Sequence, residues 1–294
     1  MKPYISIITT TYNSEDYLEQ TLQSIYHQKD ANYTHIIVDG DSKDSTHKIL
    51  KKYKDNIGQL IIEPDDGMYH GITKGAEYAE TEIMGWLNSD DIYYPWTLSV
   101  VEQVFKKYPT VDWIIGQPSY INEKGHCIKV SSNSGSAYPN YYIRNGWFQP
   151  LLAGYLQQES MFWRKSLWDK AGGLDLKYKY AADFDLWTRF ARHADLVSVS
   201  LPLASFRKRP GQTSIINEKG YSTEVVNICS QFSSYPKLWS SFSKIHNYFR
   251  IVARLLIWKK CKVITYSEKV NDWILKEKFR PLSRYSLTEL LLEV

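Results

Sequence analysis

Residues 83–91 read Ile83-Met84-Gly85-Trp86-Leu87-Asn88-Ser89-Asp90-Asp91, an apolar run that stops on a doubly acidic turn. An apolar run of this length, bounded by turn residues, suits a strand buried on both faces. The same pattern occurs three times upstream. Tyr4 to Thr10 is β-branched and apolar and gives way to Thr11-Tyr12-Asn13. His35-Ile36-Ile37-Val38 ends in Asp39-Gly40-Asp41-Ser42. Leu60-Ile61-Ile62 runs into Glu63-Pro64-Asp65-Asp66-Gly67. Between these runs lie helix-spaced stripes: Tyr17, Leu18, Leu22 and Ile25; then Ile49, Leu50 and Tyr53; then residues 68–80. The order is β-α-β-α-β-α-β. Such alternation predicts a mostly parallel, Rossmann-like central sheet covered by helices, an α/β fold. Ligands of such sheets gather at the carboxyl ends of the strands. All four polar clusters fall there, so they read as one assembled site.

Further along, the spacing predicts a helix from Trp96 through Lys107 and a strand over Val111 to Ile115. A long irregular loop is expected over 131–147, and a short strand at Met161-Phe162-Trp163. A turn at Gly172-Gly173, a helix around 183–193 and a strand near 196–200 come next. Beyond Tyr221 the pattern reads as helical. Its apolar stripe is Ile245, Tyr248, Phe249, Val252, Leu255 and Leu256, followed by Trp258 and the lysines 259, 260 and 262.

The chain has 294 residues, 43% of them hydrophobic and 23% charged, which excludes disordered and fibrous classes. Mean hydropathy is −0.41, and no apolar run approaches the ~18 residues that cross a bilayer. The opening Met1-Lys2-Pro3-Tyr4 enters a strand without a separate apolar region or cleavage site, so a cytoplasmic chain is expected. Three scattered cysteines (Cys127, Cys229, Cys261) fit a reducing compartment. The net charge of +4 hides an asymmetry. Residues 221–294 hold 12 Lys+Arg against 6 Asp+Glu, whereas residues 1–220 hold 24 against 26. A basic C-terminal quarter fits solvated helix faces or a surface for a polyanion such as anionic lipid.

The residues after each strand carry the chemistry. Neither G-x-G-x-x-G nor G-x-x-x-x-G-K-[ST] occurs, which argues against a dinucleotide dehydrogenase and a P-loop NTPase. Asp90 and Asp91 repel each other unless a cation sits between them, and hard divalent ions join carboxylate and phosphate oxygens. Read alone, the pair equally fits a helix cap. Asp39 is placed to accept hydrogen bonds from a base or ribose, with capping as its alternative. Asp183 and Asp185, two apart, do not share a helix face, so one of them at most enters a cleft as a general base.

Taken in order and spacing, these pieces resemble the inverting family 2 glycosyltransferases of GT-A fold, over roughly residues 4–215. They are Ser6 to Asn13, Ile37 to Thr46, Glu63 to Tyr69, Trp86 to Asp91, Ala181 to Trp187, and Phe206-Arg207 with Gly211-Gln212-Thr213-Ser214. The subgroup resembled builds bacterial O-antigen, capsule or exopolysaccharide. The resemblance implies that Thr11, Tyr12, Asn13, Glu15, Asp39, Asp65, Lys74, Asn88 and Asp90 bind the donor nucleotide. It implies that Asp90 and Asp91 hold Mn2+ or Mg2+ at the donor diphosphate. Asp183 would be the general base, and Gln158, Glu159 and Trp187 would line the acceptor. Asn88 stands where the family has its first acidic residue, and Ala182 where it has Glu before the base. His70, Gly71 and Thr73 also depart from the family pattern.

The division expected is a nucleotide-sugar-binding half over 1–115, an acceptor half over 116–220, and a basic helical extension over 221–294. Expected partners are a nucleotide-sugar donor, most simply a UDP-sugar, and a glycan or lipid-linked acceptor. A homodimer and peripheral contact of 221–294 with the inner face of the cytoplasmic membrane fit the same reading; nucleic acid does not. The rivals are a non-catalytic nucleotide- or glycan-binding module, which needs no base, and a sugar nucleotidyltransferase. The latter carries a Gly- and Lys/Arg-rich loop after its first strand, and this chain has none there.

Overall fold

The computed structural model describes residues 3–131, 137–148, 155–212, 216–232 and 258–281. The first four strands and their helices follow the sequence expectation: β1 (Ile5–Thr11), α1 (Leu18–Tyr26), β2 (Tyr33–Asp39), α2 (Thr46–Lys52), β3 (Gln59–Ile62), α3 (Met68–Glu77) and β4 (Ile83–Trp86). Next come β5 (Ile92–Tyr93), α4 (Thr97–Lys107), β6 (Trp113–Ile115), β7 (Ser119–Ile121), β8 (Cys127–Val130) and α5 (Asn140–Arg144). The chain continues through β9 (Met161–Arg164), α6 (Lys165–Ala171), α7 (Ala182–Phe190), β10 (Val197–Val199), β11 (Ala204–Arg207), α8 (Glu218–Cys229), β12 (Trp258–Ser267) and β13 (Asp272–Pro281).

Among the described residues the central sheet has nine strands in the order β13-β12-β10-β6-β9-β4-β1-β2-β3. Only β9 and β13 run against the others. Both faces are buried, and alternate residues of each strand divide between two cores. Ile8, Met84, Trp86, Trp113, Ile115, Met161 and Trp163 face α3, α5, α6 and α7. Ile5, Ile7, Ile83, Leu87, Ile114 and Phe162 face α1 and α4. Gly85 is required at the centre, because a Cβ there would lie 2.8 Å from the Phe162 ring. A second sheet, β5-β11-β7-β8, has no counterpart in the sequence expectation. Its strands of two to four residues are too short to show a period.

The C-terminal quarter departs from the helical expectation. Residues 218–229 are helical, but 258–281 form an antiparallel hairpin that joins the central sheet through β10 and β12. The run Val263-Ile264-Thr265-Tyr266 has strand propensity, and Asn271 takes the left-handed conformation the turn needs (φ 50°). The hairpin docks on α4: Tyr108 donates its hydroxyl to the Trp273 carbonyl (2.7 Å), and Trp273 Nε1 donates to Gln103 (3.1 Å). The lysines therefore decorate a strand and do not end a helix. Lys260 pairs with Glu277 (2.7 Å), Lys262 with Asp195 (2.9 Å), and Lys259 lies over the Tyr141 ring. The stripe Ile245 to Leu256, and Thr213-Ser214, lie outside the described residues.

Candidate active site

Because β1 to β4 are parallel, their polar ends lie along one edge of the sheet. The ends of β1 and β2 are stitched together. Asn13, at φ 48°, donates its N–H to Ser42 Oγ (2.9 Å) and accepts the Lys43 N–H (2.8 Å). Glu15 accepts the Ser45 N–H (2.8 Å), and Asp44 accepts the Glu15 N–H (3.0 Å). Asp39 sits beneath with its side chain fully buried. Its Oδ1 accepts from Ser42 N–H (2.8 Å) and lies 2.7 Å from His47 Nε2; its Oδ2 accepts the Thr11 and Ser42 hydroxyls (2.6 and 2.7 Å). Burial alone would raise this carboxyl, but the hydrogen bonds outweigh it and hold the group below the usual range. Asp39 and Thr11 therefore brace the wall and are not open to a ligand. Tyr12 is open: the residue is 63% exposed.

After β3, Asp65 Oδ1 accepts the Gly67 N–H (2.8 Å) and sets the turn into α3. Lys74 turns back onto the Pro64 carbonyl (2.9 Å) and Glu63 (2.8 Å), so its charge is met by a carboxylate.

After β4 the acidic pair separates. Asp91 is 0% exposed, accepts the Arg207 N–H at Oδ1 (2.8 Å), and takes an amide hydrogen bond from Asn88 at Oδ2 (3.2 Å). Burial, then the charges of Asp90 and Glu159, push it well above the carboxylate range. Both oxygens of Asp91, expected to hold a metal with Asp90, are thus engaged within the protein. Asp90 keeps 19% of its side chain exposed and receives Arg209 Nε at Oδ2 (2.8 Å). Arg207 donates to the Asp90 carbonyl (2.6 Å) and Gln20 (2.9 Å) and lies 4.8 Å above the Tyr17 ring. Among the described residues no three metal-ligating side chains converge. Asn88 Oδ1 is buried without a partner. That oxygen and the Asp90 carboxylate suit a hard ion that draws its other ligands from a diphosphate and water.

Gln158, Glu159 and Trp187, expected to line the acceptor, are all buried. Gln158 donates to the Trp86 carbonyl (2.7 Å) and pegs β4. Glu159 is buried with Oε1 unpartnered; burial, then the Asp90 charge, pushes it up to about 8. Trp187, 2% exposed, packs on Trp86 (5.7 Å) and Trp113 (6.0 Å) inside the core.

Asp183 stands in the first turn of α7. Burial raises its carboxyl, and a hydrogen bond from the Tyr69 hydroxyl (2.9 Å) works against that rise. Residues 6–170, more than half of the chain, match the family described as glycosyl transferase family 2. The chain belongs to that family. A curated glycosyltransferase of Rickettsia prowazekii, itself uncharacterized, is 28% identical over 247 residues, 82% of this chain and 72% of that one. A PGL/p-HBAD biosynthesis glycosyltransferase of Mycobacterium bovis is 26% identical over 227 residues, 74% of this chain and 82% of that one. Among solved structures, residues 1–349 of S. aureus TarS in complex with UDP-GlcNAc superpose with a TM-score of 0.58 at 21% identity. That match covers 72% of this chain and 60% of that one. The mannosyltransferase PcManGT of Pyrobaculum calidifontis, in complex with GDP-Man and Mn2+, gives 0.56 at 17% identity over 78% and 63%. At these identities the structures establish the GT-A fold.

In this family 2 glycosyltransferase the fold brings further residues, without an assigned role in the motifs, to Asp90 and Asp183. Arg209 was legible only as the end of the run Arg207-Lys208-Arg209. Tyr69 lay inside a quoted motif but carried no role.

Proposed function

We propose that the chain is an inverting glycosyltransferase that moves a sugar from a nucleoside-diphosphate donor to a hydroxyl of a glycan or lipid-linked glycan, with Asp183 as general base. The observation that supports this reading is the hydrogen bond from Tyr69, in the first turn of α3 directly after β3, to the Asp183 carboxylate (2.9 Å), which ties the base to the end of a strand whose neighbours carry the nucleotide walls. Tyr12 offers a face for the base to stack on. Asp183 takes the proton of the acceptor hydroxyl. The hydroxyl oxygen attacks the anomeric carbon from the face opposite the diphosphate, whose oxygen leaves with the bonding pair. One base and no protein nucleophile give inversion. Asp90, with Asn88 beside it, would hold Mn2+ or Mg2+, which neutralises charge growing on the leaving diphosphate. Arg209 supplies fixed positive charge at the same place.

A UDP-sugar is the donor we favour, supported by the fold shared with TarS, which has been solved with UDP-GlcNAc. Among the described residues no helix is long and apolar enough to cross a membrane. A lipid-linked acceptor for polysaccharide assembly would bring the enzyme to a membrane surface, and the net positive 221–294 is the segment we assign to that contact. A screen of nucleotide sugars with Mn2+ and Mg2+, against lipid-linked acceptors, tests the proposal. Asp183→Asn is expected to lower turnover by about 10²–10⁴ while donor binding persists. Donor binding with no turnover in the wild type would favour a binding module instead.

A further inference from the structure

Both α7, which carries Asp183, and α8 lie beyond the segment that matches the family. We propose that Glu224 on α8 is the positioning residue of the base: its carboxylate clamps the backbone that leads into α7 and so fixes where Asp183 stands. This rests on the reading of Asp183 as the base.

The carboxylate gathers three backbone donors. The Lys179 N–H donates to Oε1 (2.9 Å), and the N–H groups of Tyr180 and Ala181 both donate to Oε2 (2.8 Å each). Ala181 is the cap residue of α7 and has no side-chain acceptor of its own. A helix start leaves N–H groups that need partners, and a carboxylate meets them with charge-assisted bonds. Here that carboxylate comes from a helix more than forty residues later in the chain.

The helix that brings it is itself fixed. Val225, Ile228 and Cys229 are buried in the core shared with α7. Gly220 meets the ring of Tyr180 so closely that a Cβ would fall 2.6 Å from it, which presses α8 onto the clamped segment. Tyr180 is tied from the other side too, since the Tyr69 hydroxyl lies 3.1 Å from its carbonyl and 2.9 Å from Asp183. A shift of residues 179–181 therefore moves the base and loosens its hydrogen bond together. Among the described residues, the groups that face Asp183 are Tyr69 from α3, and Tyr221 and Glu224 from α8, with the Tyr155 ring 5.7 Å from Tyr221. Burial is the main cause of the raised Asp183 carboxyl, and the negative Glu224 adds to it.

The test compares wild type, Glu224→Gln, Glu224→Ala and Glu224→Asp. Hydrogen exchange reads the clamp directly: the amides of 179–181 are expected to exchange at least about tenfold faster in Glu224→Ala, a loss of roughly the factor one charge-assisted bond provides. Titration of the Asp183 carboxyl by ¹³C NMR is expected to move to lower pH in Glu224→Gln, because a negative neighbour has gone. In the transfer assay kcat is expected to fall about tenfold with donor KM unchanged, and the acid limb to move the same way. Glu224→Asp keeps the charge and should hold the wild-type titration while part of the protection is lost; it serves if Glu224→Ala does not fold. Unchanged exchange at 179–181, or lower thermal stability with titration and kcat unmoved, would overturn the proposal. If Asp183→Asn kept full turnover, the base assignment would fail, while exchange and titration would still decide the clamp.

Discussion

Arg209 Nε lies 2.8 Å from Oδ2 of Asp90, so a guanidinium from the loop after β11 caps the one carboxylate of the β4 turn that stays open. The pair is about one-fifth to one-third exposed, so its own worth to stability is small. Its value lies in where it puts positive charge. Arg209→Ala is expected to weaken nucleoside diphosphate binding about tenfold, or ~1.4 kcal/mol, and to tighten Mn2+ binding by freeing the carboxylate. Calorimetry of both ligands against wild type checks this. Unchanged diphosphate affinity in the variant would remove Arg209 from the donor site.

Tyr69 supports the anionic form of Asp183, so its removal has a defined sign. The hydroxyl bond lowers a carboxyl that burial raises. In Tyr69→Phe the carboxyl rises further, the base is ionised over a narrower range, and the acid limb of kcat/KM moves to higher pH. At neutral pH a loss of about tenfold is expected, the scale of one hydrogen bond to a charged group. A pH–rate profile that keeps its acid limb would contradict the arrangement.

How much of the fold and the site was legible in the sequence depends on how local each signal is. The strand ends at Asp39, Asp65 and Asp90 could be read because each strand, turn and helix lies within about thirty residues of the next. What those carboxylates do could not. Asp39 and Asp91 look alike as residues after a strand, yet hydrogen bonds from Ser42, His47 and Arg207 close both off. Lys260-Cys261-Lys262-Val263 does alternate polar with buried apolar residues, but the helix-spaced stripe Ile245 to Leu256 directly before it draws the reading toward a helix. Glu224 and Arg209 act across gaps of forty to more than a hundred residues, which no spacing rule reaches.

The family resemblance alone assigns Trp187 to the acceptor, and no local spacing argues for it. But α7 is buried nearly all round, with Ala182, Phe184, Asp185, Leu186, Trp187, Thr188 and Phe190 inside. Trp187→Ala is expected to cost about 3–5 kcal/mol of stability, whereas Trp187→Phe should fold and leave acceptor KM unchanged. Denaturant melts with acceptor kinetics separate the two. A raised acceptor KM in a stable Trp187→Phe would restore the residue to the site.

His35 gives the fold a pH dependence of its own. Its ring is buried between the Tyr26 hydroxyl at Nδ1 (2.8 Å) and Thr9 Oγ1 at Nε2 (2.9 Å), and burial pushes it down to about 3. The unfolded chain binds a proton near 6.5, while the folded chain refuses it until about 3. Stability from this group is therefore complete above 6.5 and is lost progressively as pH falls toward 3, by an amount on the order of a few kcal/mol over the window. Carboxylates elsewhere also titrate in acid, so the measurement is a difference. His35→Gln binds no proton in either state. Its stability deficit against wild type is expected to shrink as pH falls from 7.5 to 4.5, followed by urea unfolding at each pH. A deficit that stayed constant across that range would mean that His35 accepts its proton in the folded sheet, and that the Tyr26–His35–Thr9 chain opens to admit it.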